Sequence, residues 1–125
     1  MEGIQAYEIT PRHLFFNVLK YSHGEISREK LMGALYKASF QLVKRGYKIQ
    51  LGFKYTLKKG KSSEEIDSEL NHWLASGMLK CRNNVYVFNP RRAPMSDLDD
   101  ITNLVNEGLS GRVKKDLVKA VEASL

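Results

Sequence analysis

Apolar residues return every three to four positions along most of the chain and every second position in one segment, a pattern that predicts several helices and one amphipathic strand region. Thr10 and Pro11 open the first helix, a capping hydroxyl followed by a proline whose missing N–H is no loss at the first helical position. Leu14, Phe15, Val18, Leu19 and Tyr21 carry that helix to Ser22, and Gly24 supplies a stop. Ser27 caps a second helix whose stripe is Leu31, Leu35, Ala38, Leu42 and Val43, widened by Met32, Tyr36 and Phe40 and ended by Gly46. From Tyr47 to Leu57 the period becomes two. Tyr47, Ile49, Leu51, Phe53, Tyr55 and Leu57 fall on one side and Lys48, Gln50, Gly52, Lys54 and Thr56 on the other, as in one amphipathic strand or two short ones broken near Gly52.

Lys58 to Ser63 reads as a turn, and Ser63 caps a third helix in which Ile66, Leu70, Trp73 and Leu74 share a face before Gly77 closes it. Two short strands follow, Met78 to Cys81 and Val85 to Phe88, joined at Arg82, Asn83 and Asn84, where asparagine tolerates left-handed backbone angles. Pro90 and Pro94 make residues 89–94 an extended linker. Ser96 then caps a helix with Asp97, Asp99 and Asp100 near the positive end of its dipole. Leu98, Ile101, Val105 and Leu109 form one apolar stripe, and after Gly108 and Gly111 a second runs through Val113, Leu117, Val118, Val121 and Leu125. The expected division is a body of residues 1–94 and a C-terminal amphipathic helical extension of residues 95–125.

Helix, turn, helix, strand, helix, hairpin is the order of a winged helix, so the expected fold class is α+β, a winged helix-turn-helix with a C-terminal helical extension. The run Ser27-Arg28-Glu29-Lys30-Leu31-Met32-Gly33-Ala34-Leu35-Tyr36, and Ser63-Glu64-Glu65-Ile66 continuing through Leu70 and Leu74 to Gly77-Met78-Leu79, resemble segments of the Panacea and YwgA-like winged-helix families. Lys61 stands where those families place a proline. The resemblance implies a regulator or antitoxin-like adaptor rather than an enzyme.

Length and composition fit a single ordinary domain: 125 residues, 42% hydrophobic and 27% charged. Charge changes the picture more. The net +6 divides into a body with sixteen basic and eight acidic groups and a tail, from residue 96, with four and six. Lys44, Arg45, Lys48, Lys54, Lys58, Lys59 and Lys61 follow one another with no acid between them, enough to neutralise several phosphates. Duplex DNA is therefore the first partner to consider, with Lys58, Lys59, Lys61, Ser62, Ser63, Asn71, Lys80, Arg82, Asn83 and Asn84 as candidate contacts, mostly to the backbone. Against it, Glu64, Glu65, Asp67 and Glu69 crowd the third helix, which leaves a second reading: an interaction module whose acidic helix docks a basic protein. The aromatics are expected in the core, with Tyr55 and Tyr86 as the exceptions.

Catalytic constellations are missing from the sequence. His13, His23 and His72 lie far apart without a second ligand at helical or hairpin spacing, and no phosphate-binding glycine loop occurs, so neither a metal, a cofactor nor an enzymatic role is expected. Cys81 reads as a buried or half-buried structural thiol. The tail stripes need a partner surface, either the body or a second chain, and a homodimer through Leu98, Ile101, Val105, Leu109, Val113, Leu117 and Val121 is the expectation. No apolar run is long enough to span a bilayer and no signal-like N-terminus is evident, so a cytoplasmic protein without membrane contact is expected.

Overall fold

A computed structural model describes residues 9–49, 51–57, 60–88 and 95–125; Lys58 and Lys59, the 89–94 linker and the Ser96 side chain lie outside what is described. The chain is α+β. Its elements are α1 (Pro11–Tyr21), β1 (Glu25–Ser27), α2 (Arg28–Lys44), β2 (Lys54–Thr56), β3 (Gly60–Ser62), α3 (Glu64–Ser76), β4 (Leu79–Arg82), β5 (Val85–Phe88), α4 (Met95–Val105) and α5 (Gly111–Ser124).

Local chemistry delimits these elements as the sequence suggests. Thr10 Oγ1 accepts the His13 N–H and His13 Nδ1 accepts the Thr10 N–H, so each satisfies an amide that the first turn of α1 leaves unpaired. Ser27, Ser63 and Ser110 cap α2, α3 and α5, and Gly77, at φ 83°, ends α3 in the left-handed region.

Helix α1 is the centre of the molecule. All six residues from Leu14 to Leu19 are buried, because α2, α3, α4 and α5 surround it. Leu31, Met32, Leu35, Ala38 and Leu42 of α2 join the same core, but Tyr36, Phe40 and Val43, which the sequence placed on the apolar stripe, are exposed. The stripe is narrower than the pattern because α5 and α1 cover one side of α2, while on the other Lys61 of β3 and Phe53 reach Tyr36 and leave Phe40 and Val43 in solvent.

The tail belongs to this core. Helix α4 packs on α1 and α5 lies along α2. Leu98, Leu117 and Val121 are buried, and Ile101, Val105, Leu109 and Val113 are partly buried against them. The seven residues read as a dimer seam thus pack, wholly or in part, against their own chain. Asp116 secures the arrangement from outside, accepting from the Tyr47 hydroxyl and pairing with Arg45 at 2.9 Å.

Two small antiparallel sheets complete the described structure. One has the order β1-β5-β4, with Ile26 opposite Tyr86 and Leu79 opposite Phe88 on its inner face. Tyr86, expected at the surface, is buried there. Cys81, expected at least half-buried, is exposed, since β4 is an edge strand of which only Leu79 is covered. The other sheet corrects the reading of Tyr47 to Leu57 as strand. Only Lys54–Thr56 forms a ladder, and its partner is Gly60–Ser62, inside the segment read as a turn. Ile49 contributes one parallel bridge to Ile9. The alternation still sorts Tyr47 to the inside and Ile49, Leu51 and Phe53 to half-buried positions, but it fails at Tyr55 and Leu57, both exposed where the chain turns out into the hairpin.

Candidate nucleic-acid interface

The third helix carries four acids, and each has a partner in the same chain. Asp67 takes a two-pronged contact from Arg28, at 2.8 and 3.2 Å, and Arg28 also donates to the Tyr86 hydroxyl at 3.1 Å. The pairing with Asp67 raises the Arg28 pKa further, so the guanidinium stays charged at any working pH. Glu69 accepts from Arg12 Nε and, at 2.8 Å, from Trp73 Nε1. Glu65 accepts from the Gly52 N–H at 3.1 Å and from the Ser63 hydroxyl at 3.0 Å, and the Gly52 bond leads in holding its carboxyl below the usual carboxylate range. Glu64 meets Lys54 at 3.2 Å with both side chains mostly in solvent.

These contacts engage Glu65, Asp67 and Glu69, which are half-buried, and leave Glu64 in solvent. The exposed residues of α3 are Glu64, Ser68, Asn71, His72 and Ala75, a row one helical face wide in which Glu64 is the only acid. Serine, asparagine and histidine are side chains that hydrogen-bond to base edges and phosphates.

A groove of about 560 Å³ opens between the start of α2, the β2–β3 hairpin and the β4–β5 turn, lined among others by Arg28, Glu29, Tyr55, Lys61, Asn83 and Asn84. Asn83 and Asn84 form the two-residue turn, with φ 52° and 61°, and the Arg28 N–H donates to the Asn84 carbonyl at 2.7 Å, tying that turn to α2. Lys61 lies with its Nζ 3.6 Å from the centre of the Tyr36 ring. Lys80 and Arg82 alternate on the outer face of the exposed edge strand β4, leading to the turn.

Of the ten candidate contacts, the fold brings Lys61, Asn83 and Asn84 to one groove, leaves Lys80, Arg82 and Asn71 exposed outside its lining, and half-buries Ser62 in β3. Ser63 is corrected: it is buried, and its hydroxyl is engaged by the Ile66 N–H and Glu65. Sequence reasoning missed the hairpin formed by β2 and β3, whose signal was an alternating run followed within a few residues by Gly60. The histidines are dispersed in the fold as in the sequence, His13 in the α1 cap, His23 in a turn and His72 with its ring edge-on to Trp73. Among the described residues no helix is long and apolar enough to cross a membrane. No protein-family model, curated protein or solved structure matches the chain.

Proposed function

We propose that this chain is a winged-helix protein that binds duplex DNA, with α3 as the helix that enters the major groove and β4–β5 as the wing, and that it acts in transcriptional regulation. The observation that carries the reading is the disposition of the α3 acids. Exposed toward phosphates they would repel, but three of the four are drawn onto Arg12, Arg28 and the Gly52 amide, leaving Ser68, Asn71 and His72 outermost with Glu64 as the one acid in their row. The succession α1, β1, α2, α3, β4, β5, interrupted by the β2–β3 hairpin between α2 and α3, and the order β1-β5-β4 in the sheet, support the fold assignment. The same pairing weakens the alternative of an acidic docking helix, because those carboxylates are already engaged within the chain. Lys61, Lys80 and Arg82 supply backbone contacts, and Asn71, Asn83 and Asn84 supply neutral ones. The reading needs no second copy of the chain.

The test is anisotropy of a labelled duplex titrated at about 50 and 200 mM salt, across which a protein touching several phosphates loses orders of magnitude in affinity. Replacing Lys80 and Arg82 by alanine is expected to flatten the salt slope by roughly one unit for each phosphate no longer neutralised, while Asn71→Ala lowers affinity with the slope unchanged. Absence of binding at the lower salt rejects the proposal.

A further inference from the structure

Seven large apolar side chains are exposed among the described residues, and five of them, Tyr36, Phe40, Val43, Tyr55 and Leu57, lie in one stretch from Lys30 to Ser63. That stretch contains no carboxylate and nine of the chain's twenty Lys and Arg. The coincidence is spatial as well as sequential. Tyr36 and Phe40 are one turn apart on the outer side of α2, and Phe53 meets the Tyr36 ring edge-on at 5.4 Å. Lys61 Nζ sits over Tyr36, and Lys44 Nζ is 5.5 Å from the centre of the Phe40 ring. Tyr55 stands directly across from Lys61 in the β2–β3 ladder, so both side chains leave the same face of that hairpin. Lys54, which alternates to the opposite face, is the one that reaches Glu64.

Rings and ammonium groups thus alternate from the hairpin to the C-terminal half of α2. A duplex meets the cations of such a face but keeps its bases stacked on one another. An unpaired strand offers a phosphate for each cation and a free base for each ring. Exposure favours the same occupant: Tyr55 and Phe40 are 73% and 57% exposed.

We propose that the outer face of α2 and the adjoining β2–β3 hairpin form a second site, binding an unpaired stretch of nucleic acid whose bases stack on Phe40 and Tyr55 while Lys44 and Lys61 meet its phosphates. The site shares Lys61 with the duplex contacts proposed above, but its stacking residues Phe40 and Tyr55 are not among them, so the two bindings are read apart.

The probe is a fluorescein-labelled oligothymidylate of about 15 nucleotides, which cannot pair with itself and is long enough for one such site. The expected result is saturable binding at about 50 mM salt that weakens as salt rises. Phe40→Ala and Tyr55→Ala each weaken it roughly fivefold or more, Phe40→Trp retains it, and all three variants melt as the parent chain does by circular dichroism. Lys44→Ala flattens the salt dependence. Asn71→Ala lowers duplex affinity and leaves oligothymidylate binding intact, so failure of either site is read separately. The proposal is overturned if the oligonucleotide does not bind, or if the Phe40→Ala/Tyr55→Ala double variant binds it as well as the parent. It is also overturned if the oligonucleotide does not bind and Phe40→Ala instead abolishes sedimentation with vesicles of phosphatidylcholine and phosphatidylserine, or abolishes a doubling of mass in solution. Those results assign the face to a membrane or to a second copy.

Discussion

Asn17 is a polar side chain at the middle of the most buried helix, and its surroundings explain how it is tolerated. Its Nδ2 donates to Asn106 Oδ1 at 2.9 Å and to the His13 carbonyl, while Asn106 Nδ2 donates back to Asn17 Oδ1 at 3.1 Å. Removing one amide strands the other in a nearly dry site, which typically costs about 1–3 kcal/mol. Asn17→Leu is therefore expected to lower unfolding free energy by about 2 kcal/mol, and Asn17→Leu/Asn106→Leu to lose clearly less than the two single losses added. Urea unfolding of the four proteins measures this, and additivity would refute the coupling. Ser39 is the contrasting case. Its buried Oγ has no hydrogen-bond partner among the described residues, so Ser39→Ala should stabilise the chain by roughly 0.5–1 kcal/mol, read as a raised Tm. An unchanged or lower Tm would count against it.

At the scale of elements, the start of α1 depends on the protonation state of its cap. His13 Nδ1 accepts the Thr10 N–H, which only the neutral ring can do, and the His13 ring also bonds the Val105 backbone at the end of α4. Burial lowers the His13 pKa, outweighing the upward pull of the Val105 bond. The unfolded chain then binds more protons than the folded one between the folded pKa and about 6.5, so stability rises with pH through that interval. This contribution is complete above about pH 6.5 and is lost as pH falls through the folded value. The difference in urea midpoint between about pH 7.5 and 5 should consequently shrink in His13→Gln. An equal difference in the two proteins would exclude His13 as its source. The third helix shows the same interplay: its ends are local, a serine cap and a left-handed glycine, but two of its acids are engaged by Arg12 and Arg28, far away in sequence.

For the whole molecule, the decisive relation is that of tail to body. Leu117 and Val121 of α5 are fully buried, together with the α2 side chains beneath them, and each large side chain returned to water costs about 1.5–3 kcal/mol. Several such losses approach the whole stability of a domain. A chain ending at Leu109 is expected to lack a cooperative thermal transition, and a transition within a few degrees of that of the full chain would show that α5 is an accessory.

Much of this was legible in the order of residues because it is decided within a few positions. Thr10, Ser27 and Ser63 mark helix starts, Gly77 marks an end, and Asn83-Asn84 marks a hairpin turn, since each satisfies or relaxes its own neighbouring backbone. The periodic stripes likewise named most of the core and the basic character of the surface. Tertiary structure decided what depends on distant partners. Three-residue strands such as β1 and β3 are too short to show a period and exist only because β5 and β2 lie beside them. A stripe states that a face is apolar, not what covers it, so the tail's burial and the exposure of Tyr36, Phe40 and Val43 waited on where α5 docks. An acid's charge is local, but whether it meets a phosphate or an arginine depends on residues dozens of positions away, and that choice reshaped the candidate interface on α3.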